Sequence, residues 1–393
     1  MGTTTIVMQV IDLESGKNIG NPIAFKNPQV AYGNDVISRI GYTVDKESGL
    51  RELQESVVRI INENLKELES ELGCNEGEIR NSIYDMVVVG NSTMRNIFFG
   101  KDVRSLGFIP FEASDKSPLL VESKKIGLDI NENAMVYGPA LIGGHAGADC
   151  LADIIATGIY KYPKVNMIID IGTNGEVVIG NNKKILTASC AAGGAYEGYQ
   201  IRCGIGAIAG AITEIKIDKD KISYKTIGGK KPLGICGSGV IDLLAELFRN
   251  KIMNSKTRIG APFNINGGLY ITQDDINQLI IAKAGLRTDQ DLLIKYYGIS
   301  IDDIESIYLA GAFGNYMNID NAMTIGLLPQ IDKHKFVRFG NGALAGAIDM
   351  LLSRKIRNES ETLAKSIIHT KPNEIEGNNF QYMVADNMYF NQK

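Results

Sequence analysis

A carboxylate followed by a glycine-rich turn stands near the middle of the sequence. Asp170 ends the apolar run 165–169, and the turn consists of Gly172, Thr173, Asn174 and Gly175. Such a turn can direct backbone N–H groups at a phosphate, and Asp170 can hold Mg²⁺ directly or through water, because this ion prefers carboxylate oxygens and retained waters. The alternative is a plain tight hairpin, in which glycine and asparagine are common.

A second segment of similar composition opens the chain. It consists of Gly2, Thr3 and Thr4, followed by Thr5. Two such loops facing each other would clamp a triphosphate, so the pair favours phosphate binding more strongly than either segment alone.

Asp149 is the candidate catalytic carboxylate. It lies among small residues, in a stretch that predicts a close-packed helix over 138–159. Burying an acid in such a helix is costly, and acids of this kind are often functional. The alternative is a surface carboxylate or a helix cap. His145, one turn earlier, is expected to be structural.

Two further glycine motifs can bring backbone close to a flat ligand such as adenine, where a side chain would clash. The alternative for both is close packing between a helix and a strand. The motifs are Gly237-Ser238-Gly239 and Gly311-Ala312-Phe313-Gly314.

Hydrophobic periodicity indicates the elements that must position these residues. A β-hairpin is predicted over 1–27, and strands are predicted over 86–89, 165–171 and 307–309. Helices are predicted over 34–43, 50–72, 138–159, 237–250, 273–285, 289–297 and 341–355. Because the Gly-Thr hairpins echo each other in the two halves, the pattern favours a duplicated α/β fold around a cleft.

Composition narrows the function classes. The 393 residues carry 22% charged side chains and a net charge of −4, which argues against nucleic-acid and membrane partners. The five cysteines are scattered without a CxxC pair, so the sequence supports neither a disulfide framework, a zinc site nor a plant-type iron–sulfur cluster. The expectation is a cytoplasmic protein with reduced thiols.

Taken together, these segments resemble the ATPase superfamily of actin, the heat-shock chaperones and the sugar kinases. Within it, they are most similar to the ATPase region of the RACo family, the reductive activators of corrinoid proteins. The resemblance covers essentially the whole chain. It rests on residues 2–5, 27–29, 32–39, 90–94, 147–149, 170–176, 197–198, 200–204, 236–242, 310–315 and 326–329.

The resemblance implies an α/β fold of two actin-like (ribonuclease H-like) ATPase subdomains, 1–135 and 136–393, with ATP and Mg²⁺ as cofactors. Residues 2–5 and 170–176 would be the two phosphate loops, with Asp170 at the metal. Residues 141–158 and 341–352 would be the connecting helices, and 308–315 the adenosine motif. Asp149 lies nine residues before Gly158, the spacing at which relatives carry the residue that positions the attacking water.

The implied activity couples ATP binding and hydrolysis to reduction of Co(II) to Co(I) in a corrinoid protein or corrinoid methyltransferase, with a ferredoxin-type electron donor. Full-length members carry an N-terminal domain with a 2Fe–2S cluster and an aspartate two residues before the first loop glycine. Neither is present in this sequence, so we expect a truncated chain with weaker nucleotide binding. A small-molecule kinase of the same superfamily and a non-catalytic nucleotide-binding scaffold stay open as alternatives, as does a homodimer.

Overall fold

The computed structural model describes residues 1–190, 194–198, 200–219, 221–314 and 316–390, without the side chains of Glu197, Ala312 and Phe313. The strands are β1 Thr5–Ile11, β2 Asn18–Lys26, β3 Asp85–Val87, β4 Leu119–Glu122, β5 Met135–Gly138, β6 Asn166–Ile171, β7 Gly175–Gly180, β8 Ile185–Cys190, β9 Ala211–Asp218, β10 Lys221–Thr226, β11 Gly234–Ile235, β12 Phe263–Asn266, β13 Leu269–Ile271, β14 Ile307–Ala310, β15 Phe336–Gly340 and β16 Ile368–His369. The α-helices are α1 Val36–Asp45, α2 Gly49–Glu71, α3 Ser92–Phe98, α4 Ser123–Ile126, α5 Ala148–Thr157, α6 Gly237–Arg249, α7 Gln273–Tyr297, α8 Gly311–Gly314, α9 Ile319–Thr324, α10 Gly342–Leu352, α11 Arg354–Ser366, α12 Pro372–Glu376 and α13 Asn378–Asn387.

The chain divides into two compact units. Unit 1 comprises Met1–Gly158 with Gly342–His369, and unit 2 comprises Ile159–Asn341 with Thr370–Lys393. The division therefore falls after Gly158, whereas the sequence placed a subdomain boundary at 135/136. The physical reason is that α5 packs on α10 through a backbone contact, which assigns both helices to unit 1: a Cβ on Gly346 would lie 2.0 Å from the Ala152 carbonyl oxygen.

Unit 1 contains the hairpin β1–β2, as predicted, and a second sheet of order β3-β5-β4. The predicted helix over 50–72 is confirmed as α2, and it buries Leu53, Val57, Ile61, Leu65 and Leu68. These residues recur every three or four positions, so they form one apolar stripe along the helix.

The predicted helix over 138–159 is wrong in its first half, because β5 ends at Gly138 and α5 begins only at Ala148. The intervening loop passes close to other backbone. A Cβ on Gly144 would lie 1.6 Å from the Phe111 carbonyl oxygen, and one on Gly147 would lie 2.4 Å from the Asn91 Cα. The small residues therefore mark a tightly enclosed loop rather than a helix–helix crossing.

Unit 2 is built on a mixed sheet in which neighbouring strands follow the order β15-β14-β6-β7-β8. β6, β14 and β15 are parallel, whereas β6, β7 and β8 form an antiparallel meander. The inward residues of β6 and β7, such as Ile169 and Val177, join one large core with α6 and α7. The carboxyl ends of β6 and β14 lie side by side, which is where open α/β sheets bind ligands.

Helix α7 runs unbroken from Gln273 to Tyr297, so the two helices predicted over 273–285 and 289–297 are one. It begins with a capping box between Thr272 and Asp275 and ends at Gly298, which has φ +82°. Gly285 stays helical, and a Cβ there would lie 3.7 Å from the Cys190 side chain, an ordinary contact. Among the described residues, no helix combines the length and apolar character needed to cross a bilayer.

Candidate functional site

Asp170 and Gly311 meet at the carboxyl ends of two adjacent parallel strands. Asp170 pairs with Ala310 in the register of β6 and β14, and Gly311 follows with φ +82°. A Cβ on Gly311 would lie 2.5 Å from Asp170 Oδ1 and 3.0 Å from the Ile171 carbonyl oxygen. The structure therefore brings together two motifs that lie far apart in the sequence, and only glycine fits at their contact.

The turn after Asp170, which we call loop 2, consists of Gly172, Thr173, Asn174 and Gly175. Gly172 N–H donates to the Asn174 carbonyl oxygen at 3.1 Å. The first three residues are partly exposed, and Gly175 is buried as the first residue of β7. Loop 2 is thus a short, closed turn at the carboxyl end of β6, and its partly exposed residues lie beside Asp170.

Glu176 is an acidic residue of this site that sequence reasoning did not single out. It lies directly opposite Asp170 in the antiparallel pairing of β6 and β7, and directly opposite Ser189 of β8. Side chains of directly opposed residues share one face of a sheet, with Cβ atoms about 5 Å apart. Ser189 Oγ donates to Glu176 Oε1 at 3.4 Å, and Glu176 is buried. The three-residue turn between paired strands was the signal that could have placed Glu176 beside Asp170.

The other predicted ligand-binding residues of unit 2 divide into two groups. Gly237, Ser238 and Gly239 are buried at the start of α6, where Ser238 Oγ donates to the Thr213 carbonyl oxygen at 3.0 Å. A Cβ on Gly239 would lie 2.4 Å from the Ile212 carbonyl oxygen, so close packing of α6 on β9 explains this motif. A role in cofactor binding stays a prediction for these three residues.

The predicted adenosine motif continues from Gly311 into the short helix α8. Gly314 packs on β14, because a Cβ there would lie 3.1 Å from the Leu309 carbonyl oxygen. The predicted contributions of the Ala312 and Phe313 side chains, and that of Asn315, lie outside the described residues.

In unit 1, residues 2–5 form a tight turn that we call loop 1. Gly2 N–H donates to the Thr5 carbonyl oxygen at 3.0 Å, and a Cβ on Gly2 would lie 2.6 Å from that oxygen. Thr3 and Thr4 are buried. In loop 1, Thr3 and Thr4 therefore lie against the protein, whereas Thr5 is exposed.

Three polar residues hold loop 1, and sequence reasoning gave none of them a role in the site. Asn27 Nδ2 donates to the Gly2 carbonyl oxygen at 2.9 Å, Arg39 donates to the Thr3 carbonyl oxygen at 2.6 Å, and Asn91 Nδ2 donates to Thr3 Oγ1 at 3.0 Å. Arg39 is fully buried, and burial lowers its pKa to about 10, so it stays protonated at neutral pH. A buried cation thus lies directly beneath the loop.

Asp149 lies in the first turn of α5, and Gly90 connects this helix end to loop 1. The N–H groups of Ala148 and Asp149 donate to the Gly90 carbonyl oxygen at 2.9 and 3.2 Å, and a Cβ on Gly90 would lie 2.6 Å from the Met1 carbonyl oxygen. Asp149 Oδ1 accepts from the Cys150 N–H at 2.9 Å, and burial raises the pKa of the carboxyl. A carboxylate in the first turn also stabilises the helix dipole, so the geometry is consistent with both interpretations of this residue.

The five cysteines are free thiols in the structure. Across the part of the chain that the structure describes, no three His, Cys, Asp or Glu side chains form a group that could hold a metal ion by themselves. Any metal at Asp170 would therefore need ligands from water or from a bound nucleotide, as Mg²⁺ commonly has.

Two family models together match nearly the whole length of the chain. Residues 1–162 match the middle region of RACo, and residues 164–393 match its C-terminal ASKHA domain. The ASKHA match covers unit 2 from residue 164 onward and also includes α10 and α11 of unit 1. It confirms the actin-like α/β fold expected from the sequence.

Two curated relatives and one solved structure are similar to the chain. The corrinoid activation enzyme RamQ of Eubacterium limosum is 34% identical, with 99% of this chain and 70% of the relative covered. The Co(II) methylated amine-specific corrinoid protein reductase of Methanosarcina barkeri is 25% identical, with 93% and 72% covered. The structure of a reductive activator for a corrinoid, iron-sulfur protein matches with a TM-score of 0.90 and 34% identity. The match covers 99% of this chain and 65% of that protein.

Proposed function

This chain belongs to the RACo family, and from that premise we propose that it couples ATP binding and hydrolysis to the reduction of a Co(II) corrinoid protein. The target would be a corrinoid protein or corrinoid methyltransferase, as the names of the relatives suggest. A low-potential, ferredoxin-type protein would donate one electron, which converts Co(II) to Co(I). Hydrolysis of ATP by water to ADP and phosphate would accompany this transfer.

The observation that carries the nucleotide part of the proposal is the contact between Asp170 and Gly311. A carboxylate at the end of β6 lies against a position where a Cβ would fall 2.5 Å from its oxygen. This leaves Asp170 beside two glycine-containing turns at the carboxyl ends of β6 and β14, a place suited to a nucleotide phosphate. The site fits Mg²⁺, with Asp170 as the protein ligand and Glu176 on the same face, and the ion would neutralise phosphate charge when bound.

Unit 1, taken by itself, carries two features that would suit phosphate chemistry. Loop 1, with the buried guanidinium of Arg39 beneath it, would provide a fixed turn near positive charge for a phosphate. Asp149 would orient or accept a proton from the attacking water, because burial raises its pKa toward the range in which a carboxylate serves as a general base.

Nucleotide binding can drive an unfavourable reduction only through differential affinity. If the ATP-bound protein binds the Co(I) form of its target more tightly than the Co(II) form, the reduction equilibrium shifts by that ratio. The proposal therefore requires that ATP alter the complex with the corrinoid protein, and that the complex alter ATP turnover.

The test measures phosphate release and the visible spectrum of a Co(II) corrinoid protein, with titanium(III) citrate as the electron donor. We expect the target to stimulate ATP hydrolysis and ATP to increase the Co(I) yield. Asp170→Asn should abolish both effects, whereas Asp320→Asn, the same change at an exposed residue of unit 2, should leave them intact. ATP binding without turnover or Co(I) formation would contradict the proposal and indicate a scaffold, and phosphate transfer to a metabolite would indicate a kinase.

A further inference from the structure

Arg39 joins three sequence motifs that lie outside the candidate nucleotide-binding loops. These motifs span residues 27–29, 32–39 and 90–94. Arg39 Nε donates to the Gly33 carbonyl oxygen at 3.0 Å. Its Nη1 atom donates to Gln29 Oε1 at 3.1 Å and to Met94 Sδ at 3.0 Å. Because these bonds fix the orientation of the guanidinium, its remaining nitrogen, Nη2, is aimed at one group of loop 1, the Thr3 carbonyl oxygen, at 2.6 Å.

Among the described residues of unit 1, Arg39 hydrogen bonds only to neutral acceptors, although its side chain is fully buried. Burial lowers the pKa of Arg39 to about 10, and the charge of Asp35 acts in the opposite direction. Asp35 Oδ1, however, accepts from the N–H and the hydroxyl of Ser38, at 2.8 and 2.9 Å. A buried charge without a negative partner is costly, so an anion bound near Arg39 would compensate it.

The bond to Thr3 also fixes the direction of a backbone N–H group. The Thr3 carbonyl and the Thr4 N–H belong to one planar, trans peptide, in which the two bonds point in opposite directions. Because the Thr3 carbonyl oxygen faces Arg39, the Thr4 N–H points away from the guanidinium. An acceptor bonded to that N–H would lie about 7 Å from Arg39 Nη2, with the peptide dipole aligned between the two charges.

We propose that Arg39 is a positioning residue that orients the Thr3–Thr4 peptide toward the phosphate chain of a nucleotide, and that its charge makes loop 1 select phosphate-bearing nucleotides over the uncharged nucleoside. The inference rests on the proposed function, because it takes loop 1 to be a phosphate-binding loop. Arg39 does not touch the nucleotide. The cation lies at the carbonyl end of the peptide and the phosphate at its N–H end, so both charges stabilise the same dipole.

The size of the effect follows from the charge and the distance. At an effective dielectric constant of about 20, a unit charge about 7 Å from an anion changes its affinity about ten- to hundredfold. Arg39→Met removes the charge and the donors, so it should weaken Mg·ATP binding by that factor but adenosine binding by less than about threefold. Arg39→Lys keeps the charge and a donor without the planar fork, so it should weaken Mg·ATP binding by less than about tenfold.

A merely structural role of Arg39 predicts a different pattern. Lost packing would weaken ATP and adenosine binding alike, and lysine would not restore either. Arg95 provides the matched control, because it is also a buried arginine of unit 1 whose pKa burial lowers to about 10. Its acceptors are likewise neutral and lie outside loop 1; they are oxygens of Asn96, Ser117 and Gly138. Arg95→Met should therefore destabilise the chain while the ratio of ATP to adenosine affinity changes by less than about threefold.

The experiment combines titration calorimetry with NMR spectroscopy of the whole chain. Calorimetry measures the Kd of Mg·ATP and of adenosine for the wild-type chain and the three variants. For NMR, threonine is labelled with nitrogen-15, and the Thr4 amide signal is identified by its absence in Thr4→Ser, since serine carries no label. We expect this signal to move when a non-hydrolysable Mg·ATP analogue binds to the wild-type chain.

The outcomes separate the two levels of the argument. If the wild-type chain binds no Mg·ATP, the proposed function fails and the role of Arg39 fails with it. If it binds Mg·ATP, only the role of Arg39 is overturned by an unmoved Thr4 signal, by equal losses of ATP and adenosine affinity in Arg39→Met, by Arg39→Lys binding Mg·ATP as weakly as Arg39→Met, or by the same change of ratio in Arg95→Met. Should Arg39→Met not fold, the Thr4 signal and the affinity of Arg39→Lys for Mg·ATP still decide.

Discussion

Replacing Gly311 by alanine tests the contact on which the candidate site depends. The substitution introduces two separate penalties. Alanine must adopt φ +82°, and its Cβ would lie 2.5 Å from Asp170 Oδ1 and 3.0 Å from the Ile171 carbonyl oxygen. Because both neighbours belong to the strand end that carries the candidate metal ligand, the carboxylate must move by about 1 Å to reach ordinary contact distance.

Gly298 provides a control that separates the two penalties. It has the same φ of +82°, at the end of α7, and a Cβ there would have no heavy atom within 4 Å. Gly298→Ala should therefore cost only the backbone strain, about 1–2 kcal/mol of the free energy of unfolding. Gly311→Ala should cost that amount plus about 1–3 kcal/mol for the overpacking. At about 2–4 °C per kcal/mol for a unit of this size, the two melting temperatures should differ by several degrees.

The decisive difference lies in nucleotide binding. A displacement of about 1 Å in a positioned group can reduce activity about a hundredfold, so Gly311→Ala should lose Mg·ATP affinity or turnover on that scale. Gly298→Ala should bind Mg·ATP as the wild-type chain does. Scanning calorimetry and titration calorimetry measure the two quantities independently. The reasoning is refuted if the two variants bind Mg·ATP equally well, or if Gly298→Ala unfolds as early as Gly311→Ala.

Three further predictions concern other parts of the structure. Gly346→Ala should destabilise unit 1, because its Cβ would lie 2.0 Å from a carbonyl oxygen of α5. Gly41→Ala on α1, where nothing lies within 4 Å, should instead stabilise unit 1 by up to about 1 kcal/mol. Thermal unfolding of both variants measures the difference, and a stabilising Gly346→Ala would contradict the packing of α5 on α10. Burial lowers the pKa of Lys283 to about 7, from 10.5 when unfolded. The unfolded chain therefore binds more protons between these values, and the free energy of unfolding should rise with pH across that window. Urea unfolding at several pH values should show this rise in the wild-type chain and a smaller rise in Lys283→Met, and equal slopes would disprove it. Asp149→Asn keeps an oxygen for the Cys150 N–H, so ATP affinity and stability should persist while kcat falls at least about a hundredfold. Unchanged hydrolysis would leave Asp149 with only its favourable interaction with the dipole of α5.

Local sequence patterns predicted the elements that are determined by residues close together in the chain. Helix α2 presents one apolar stripe, and the β1–β2 hairpin encloses a polar turn, so both could be read from periodicity. Asp170 and Gly311 were predicted as site residues for a similar reason, since each stands at the end of an apolar strand, at a point where glycine permits a sharp turn. Their mutual contact follows from strand order, because β6 and β14 are adjacent and parallel.

The residues that were missed are defined by pairing across the fold. Glu176 faces Asp170 only because the turn between β6 and β7 holds three residues, which sets the register. Arg39 and Asn91 reach loop 1 from positions 36 and 88 residues away along the chain. Residue type alone does not reveal such partners.

The density of glycines before α5 was visible in the sequence, but the helix prediction over 138–159 did not take it into account. Small residues at 143–148 suit a close helix crossing and a loop pressed against other backbone equally well. The two differ in cost, because each glycine in a helix interior loses about 1 kcal/mol relative to alanine. Gly143, Gly144 and Gly147 would together cost about 3 kcal/mol within five residues. In α10, by contrast, Gly342 lies in the first turn and Gly346 lies where the backbone of α5 approaches closely. The density of glycines, rather than their presence, distinguishes the loop from the helix, and by that criterion α5 begins after Gly147.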